Sequence, residues 1–144
     1  YEVNMAGLIR FGVSLPEDLL TRYDNEIQRR GYSNRSEALR DLIREFLVQK
    51  EVDSDAEVVG TLTLIYDHHV ADLAAKLKSM QHESYQNIMA NIHFHLDQHN
   101  CLEVIVLRGR CSLIQNIAER LIGLRGVKHG KLTFTSTGKN LPGL

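Results

Sequence analysis

The chain has 144 residues, 43% of them apolar, and a net charge of −1 with its histidines neutral. That length allows one ordinary domain or two small ones. No apolar run is long enough to span a bilayer, residues 1–10 carry no signal-peptide pattern, and two cysteines make no disulfide framework, so a cytoplasmic protein without membrane contact is expected.

Residues 1–7 show no period and read as a flexible arm. Residues 8–15, LIRFGVSL, alternate: Ile9, Phe11, Val13 and Leu15 fall on one face, and Arg10, Gly12 and Ser14 on the other. That is a half-buried strand. Pro16 opens a helix at its first turn, the acidic Glu17 and Asp18 suit its positive end, and Gly31 stops it. Asn34 and Glu37 form an N-x-x-E cap for a second helix, which runs to about Gln49 and carries Ala38, Leu39, Leu42, Ile43, Phe46 and Leu47 inward. Residues 51–57, EVDSDAE, are rich in acids and read as a linker. Then come a strand over 58–66, a helix from about His69 to Met80 capped by Asp67, strands over 88–96 and 101–108, a helix over 112–124, a strand over 127–135 and a tail over 136–144. The order βαββαβ is that of a split-βαβ, ferredoxin-like sandwich. The fold class is therefore α+β, with an N-terminal βαα unit over 8–50 and a ferredoxin-like domain over 58–135.

The βαα unit is too small to bury a core alone and holds no disulfide or metal ligand, so it needs a second chain. Its strand would pair with its own copy as a two-stranded antiparallel ribbon. Such a ribbon fits the major groove of DNA. Arg10, Gly12 and Ser14 would then meet base edges, with Arg10 the natural donor to guanine and Gly12 permitting close approach. The backbone N–H groups at the start of the second helix, around Asn34, Arg35 and Ser36, suit a phosphate. Bulk charge supplies no attraction to nucleic acid, so these local groups must.

The richest chemistry lies in HFHLDQHNC, residues 93–101. His93 and His95 share a strand face, and the polar turn 97–100 brings Cys101 back beside them. Two imidazoles and a thiol suit a late first-row divalent metal, not magnesium or calcium. All seven histidines lie in the second part of the chain, with His82 just before this strand. On these residues alone, tetrahedral zinc stays open.

LIRFGVSLPEDLL…RGYSNRSEALRDLIR resembles the ribbon-helix-helix DNA-binding domain. QHE…IHFHLDQHNCLEVIVLRG…LIGLRGVKHGKL resembles the ACT-type metal-binding domain of the nickel-responsive transcriptional regulators. Both motifs occur in that order, over residues 8–135. The resemblance implies a homotetramer, a dimer of dimers, with a central ACT-type core flanked by two ribbon-helix-helix pairs on double-stranded operator DNA. It implies one Ni(II) per protomer in a square-planar site of His93, His95 and Cys101 with His82 from a neighbour, backed by Glu103, and repression of nickel-uptake genes when the metal is bound. It also implies a monovalent cation near Glu37 and Asp41. Gly12 stands where some relatives use threonine to read bases, and Val70 and Ala71 stand where some carry basic residues, so the operator is not set by the resemblance. An enzyme is disfavoured, since four protein ligands close the site and no nucleophile stands near. An ACT-type small-molecule sensor and a zinc-binding regulator are the competing readings. His68, His69 and His99 would have surface roles or form weak secondary metal sites.

Overall fold

The computed structural model describes residues 7–142, so the expected arm lies outside the described residues except for Gly7. The chain divides into two compact units, one ending at Ile43 and one beginning at Arg44.

In the first unit, helix α1 spans Glu17–Arg29. Pro16 sits one position earlier than expected, at the N-cap with φ −56° and ψ 144°. An extended ψ keeps it outside the helix while its carbonyl still takes the Leu20 N–H at 3.0 Å. The helix ends in a Schellman motif: Tyr32 N–H reaches the Ile27 carbonyl and Gly31 N–H the Gln28 carbonyl, both at 3.0 Å, with Gly31 at φ 80°. Helix α2 spans Arg35–Asp53, and Asn34 Oδ1 accepts the Glu37 N–H at 2.9 Å, the cap expected from N-x-x-E.

Residues 8–15 do not form the expected strand. Only Ile9 carries a bridge, and Ile9, Phe11, Val13 and Leu15 are all exposed. A strand needs a hydrogen-bonded neighbour, and among the described residues this segment joins no ladder. The inward face expected of α2 is likewise open. Ala38 is buried, Leu39 and Leu47 are half-buried, and Leu42, Ile43 and Phe46 are exposed, Phe46 at 70%.

In the second unit α2 continues four residues beyond Gln49 into the expected linker. It closes with another Schellman pattern, Ala56 N–H to the Glu51 carbonyl and Asp55 N–H to Val52, with Asp55 at φ 55°. Val52 packs on the core, which explains why the helix persists. The rest runs β1 Glu57–Asp67, α3 Leu73–Glu83, β2 Ile88–His95, β3 Asn100–Arg110, α4 Cys111–Ile122 and β4 Val127–Ser136. The sheet order is β2-β3-β1-β4 and every neighbouring pair is antiparallel. This is the split-βαβ sandwich, and the whole chain is α+β.

One sheet face carries the core. Val58, Leu62, Leu64 and Tyr66 of β1 and Cys101, Ile105 and Leu107 of β3 pack with Leu73 and Leu77 of α3 and Ile114, Ile117 and Leu121 of α4. Each fully buried Leu or Ile contributes about 1.5–3 kcal/mol relative to exposure. α4 approaches closely because β1 and β4 offer glycines beneath it. A Cβ on Gly60 would lie 2.8 Å from Ile114 Cγ2, and one on Gly130 would run into Ile122 Cγ1. α3 begins at Leu73, four residues later than expected. Asp67 caps a turn instead, its Oδ1 accepting the His69 N–H at 2.9 Å, and Asp72 at φ 64° separates that turn from the helix. His68 and His69 therefore lie on a loop.

Candidate metal centre

The β2–β3 hairpin sets the site. Asp97 Oδ1 accepts the backbone N–H groups of His99 and Asn100, each at 2.8 Å, and Oδ2 accepts the Asn100 side-chain amide at 2.8 Å. These donors, Asn100's side chain first, hold the Asp97 carboxyl down to about 2. The turn fixes the register, so His95 pairs with Cys101 and His93 with Glu103. Opposed residues on neighbouring strands share a face, which puts all four side chains on the helix side of the sheet.

Cys101 is fully buried. Its Sγ lies 3.4 Å from His95 Nδ1 and 3.3 Å from His68 Nδ1. Burial, followed by the nearby carboxylates of Asp67, Asp97 and Glu103, pushes its thiol up. A bound dication would displace that proton, since the thiolate is the ligand. His93 stands beside His95 with ring centroids 5.0 Å apart, and its Nδ1 is 3.2 Å from the Tyr66 hydroxyl. Burial and the neighbouring Glu103 push Tyr66 up to about 12, so the hydroxyl keeps its proton at neutral pH. A hydroxyl also accepts. With His93 protonated at Nδ1, Tyr66 takes that hydrogen bond and Nε2 keeps a lone pair for a metal.

Glu103 is a buried carboxylate, 5% exposed. Its Oε1 accepts from Gln81 Nε2 at 2.7 Å and from Asn91 Nδ2 at 3.2 Å, and Asn91 also donates to Gln81 Oε1 at 2.9 Å. The network ties β3 to β2 and to the last turn of α3. The next residue along that turn is His82, exposed, its ring 6.3 Å from that of Tyr85.

Among the described residues, the donors brought together within one chain are thus His68, His95 and Cys101, with a second group of Asp67, His69 and His99. The expected His93 adjoins the first group, while the expected His82 stands outside it. His68, Tyr66, Gln81 and Asn91 were not singled out as part of this centre by sequence. Alternation alone puts Tyr66 and Asn91 on the correct faces, but His68 reaches the sulfur only through the β1–β3 pairing of Tyr66 with Cys101.

In the first unit, Arg10, Gly12 and Ser14 are all exposed. Arg35 is engaged by Asp24 in a two-pronged pair, Nε and Nη2 each 2.7 Å from a carboxylate oxygen. Asn34 and Ser36 flank it at the start of α2, exposed. Glu37 and Asp41 lie one turn apart, and Asp41 Oδ2 accepts the Tyr32 hydroxyl at 2.8 Å.

Residues 59–135 match the model of the NikR C terminal nickel binding domain, and residues 9–50 match that of the ribbon-helix-helix protein, copG family. The chain is 51% identical over 136 residues to a protein of Pyrococcus furiosus named "Putative nickel-responsive regulator", covering 94% of this chain and 99% of that one. A protein of the same name from Geobacter sulfurreducens is 53% identical over 138 residues, covering 95% and 99%. The chain belongs to the nickel-responsive regulator family. It is a transcriptional regulator with a DNA-binding ribbon-helix-helix domain and a nickel-binding domain, and its family is not an enzyme family. No helix among the described residues is long and apolar enough to cross a membrane. The donor set fits the metal: imidazole nitrogens around a buried thiol are borderline-to-soft ligands, as a late first-row dication requires.

Proposed function

We propose that this regulator is a cytoplasmic, nickel-dependent repressor of nickel-uptake genes. Each protomer would bind one Ni(II) in a square-planar site of His93, His95 and Cys101 together with His82 of the partner subunit. The observation that carries this reading is the hairpin register. It puts the two imidazoles of the edge strand β2 and the thiol of its neighbour β3 on one face of the sheet, while His82 stands exposed on α3 where it can serve a neighbour. Glu103 would orient the ligands through the Gln81–Asn91 network and add negative charge near the ion.

The working assembly is a homotetramer, supported by the open apolar faces of residues 8–15 and α2. Paired copies of 8–15 would form the ribbon, with Arg10 and Ser14 reading operator bases and Gly12 allowing close approach. Asn34, Arg35 and Ser36 would meet phosphates, Arg35 by leaving Asp24. Glu37 and Asp41 would hold a monovalent cation when DNA is bound. Nickel would act by favouring the tetramer arrangement whose ribbons fit the operator, and by linkage operator DNA would tighten nickel by the same factor.

A second reading is favoured by one distance, the 3.3 Å between His68 Nδ1 and the sulfur. His68 would complete the site within a single protomer, with no ligand crossing the interface. Absorption and X-ray absorption spectra of the nickel-loaded protein, with His82→Ala and His68→Ala beside wild type, test both. Under the first reading, wild type gives a square-planar thiolate–imidazole spectrum that His82→Ala abolishes and His68→Ala leaves intact. The reverse pattern selects the second reading, and an octahedral spectrum without sulfur overturns both.

A further inference from the structure

Each arginine between residues 29 and 35 is held by a carboxylate of α1. Glu26 Oε1 takes both Arg29 Nη2 and Arg30 Nε at 2.7 Å. Asp24 takes Arg35, the first residue of α2, with Nε and Nη2 each 2.7 Å from one of its oxygens. The Arg35 side chain is 60% exposed and that of Asp24 37%, so the pair lies within reach of a ligand. The hydrogen bond from Arg35 holds the Asp24 carboxyl below its usual 3.8, which keeps the pair ionised at neutral pH. Other groups hold the corner between the two helices. Tyr32 and Gly31 N–H close α1 on the Ile27 and Gln28 carbonyls, and Asn34 Oδ1 caps α2 at the Glu37 N–H. The Tyr23 hydroxyl donates to the Arg35 carbonyl at 3.2 Å. The backbone of Arg35 is therefore fixed without Asp24, which restrains only the guanidinium.

We propose that Asp24 is a built-in latch on DNA binding, a carboxylate that occupies Arg35 until a DNA phosphate displaces it. The proposal rests on the reading of Arg35 as a phosphate contact and adds the group that limits this contact. A guanidinium presents planar forks of N–H groups, and carboxylate and phosphate take such a fork in the same two-pronged geometry. The Nε–Nη2 edge cannot serve both, and a phosphate at the other edge would stand close to a second anion. The exchange is easy to make. An exposed ion pair is weak and screened by salt, and breaking this one moves two surface side chains and no backbone. Unpaired cations supply the attraction that a protein has for DNA of any sequence. With Arg29, Arg30 and Arg35 all neutralised by α1, this corner offers little of that attraction until the exchange takes place. The latch thus lowers affinity for DNA by the strength of one ion pair per protomer.

The test uses the nickel-loaded full-length protein and a fluorescently labelled DNA duplex of mixed sequence, since phosphate contacts carry no sequence information. Anisotropy over a range of salt concentrations gives the affinity of wild type, Asp24→Asn, Arg35→Ala and the double variant, with thermal melts alongside. Asp24→Asn should melt close to wild type and bind more tightly, by about 1.4- to 5-fold per protomer, the worth of an exposed ion pair. Its affinity should also fall more steeply with salt, the log–log slope changing by about 0.9 for each Arg35 that gains a phosphate. The double variant should bind no more tightly than Arg35→Ala, because the gain passes through Arg35. Should Asp24→Asn melt well below wild type, Asp24→Ala, a better helix former, takes its place in the same comparison. Affinity of the Asp24 variant equal to or below that of wild type overturns the latch. If Arg35→Ala is then weaker than wild type, the phosphate reading of Arg35 stands, and if it is equal, that reading falls as well. A gain that persists in full in the double variant also overturns the latch, since the carboxylate would then only repel DNA.

Discussion

Replacing Glu103 by glutamine removes a charge and almost no volume, which separates a role in metal binding from a role in packing. In the folded chain its Oε1 accepts two hydrogen bonds, at 2.7 Å from Gln81 and 3.2 Å from Asn91. Bonds to a charged acceptor contribute about 1.5–3 kcal/mol each and neutral ones about 0.5–1.5. The exchange therefore weakens the pair by about 2–3 kcal/mol gross, using the difference per bond taken twice. A neutral amide is also easier to bury than a carboxylate, which offsets much of that loss. Asn91 is exposed and keeps its bond to Gln81 Oε1. The metal-free variant should thus melt close to wild type, within about 1–2 kcal/mol. Nickel should respond more. Loss of a hydrogen-bonding partner behind the ligands costs about 10–100-fold in affinity, or about 1.4–2.7 kcal/mol. The assay is nickel titration against a competing chelator, with thermal melts of the metal-free protein alongside. Nickel affinity equal to wild type would refute the reasoning, and Glu103 would be only a strut between α3 and the sheet.

His82→Ala should abolish the rise in melting temperature that nickel confers on the assembled protein, because a metal tying two chains stabilises them in proportion to its affinity; an equal rise in variant and wild type would remove His82 from the centre. Arg10→Ala should weaken specific operator binding by about 1–3 kcal/mol per guanine contact at fixed salt and leave dimerisation unchanged, as gel-shift and sedimentation measurements would show. Gly130→Ala should destabilise the second unit by about 1–3 kcal/mol through overpacking, since the new Cβ would run into Ile122 Cγ1; chemical denaturation reads this. The last prediction concerns acid. Asp55 accepts the Ser112 N–H at 2.6 Å and its hydroxyl at 2.9 Å, and these bonds, the backbone one first, hold its carboxyl below the ordinary 3.8. Its stabilising effect is therefore complete above about pH 4 and fades as pH falls through the lowered value. Asp55→Asn should melt lower than wild type at neutral pH, and the gap should close in acid.

The second unit was largely legible in the sequence because β1 and β3 are buried on one face and its helices carry one apolar face, so period 2 and period 3.6 each left a clean trace. The misplaced element was α3, where Asp67 followed by two histidines resembled a helix start. The residue that breaks the run is Asp72 in a left-handed conformation, which no periodicity reports. α2 ran past its expected end because a cluster of acids reads as linker, although Val52 has a core to pack on. The first unit was legible as a pattern but not as a folded chain: the alternation of 8–15 and the apolar positions of α2 describe surfaces that stay open in the single chain. At the centre, the HFHLDQHNC spacing pointed to His95 and Cys101 because hairpin geometry is local. His68 was not legible as their neighbour, since it arrives through a strand pairing more than thirty residues distant in sequence.

The four-residue turn between β2 and β3 works as a ruler. Surface loops ordinarily accept insertions and deletions without consequence, and Gln98 at its tip is exposed. Here the number of residues between His95 and Cys101 decides which side of the sheet the sulfur occupies. One residue more or fewer, propagated into β3, would turn Cys101, Glu103, Ile105 and Leu107 outward together. The side chain at 98 can therefore vary freely while the length of the turn cannot, because the length alone sets which face the sulfur shares with His93 and His95.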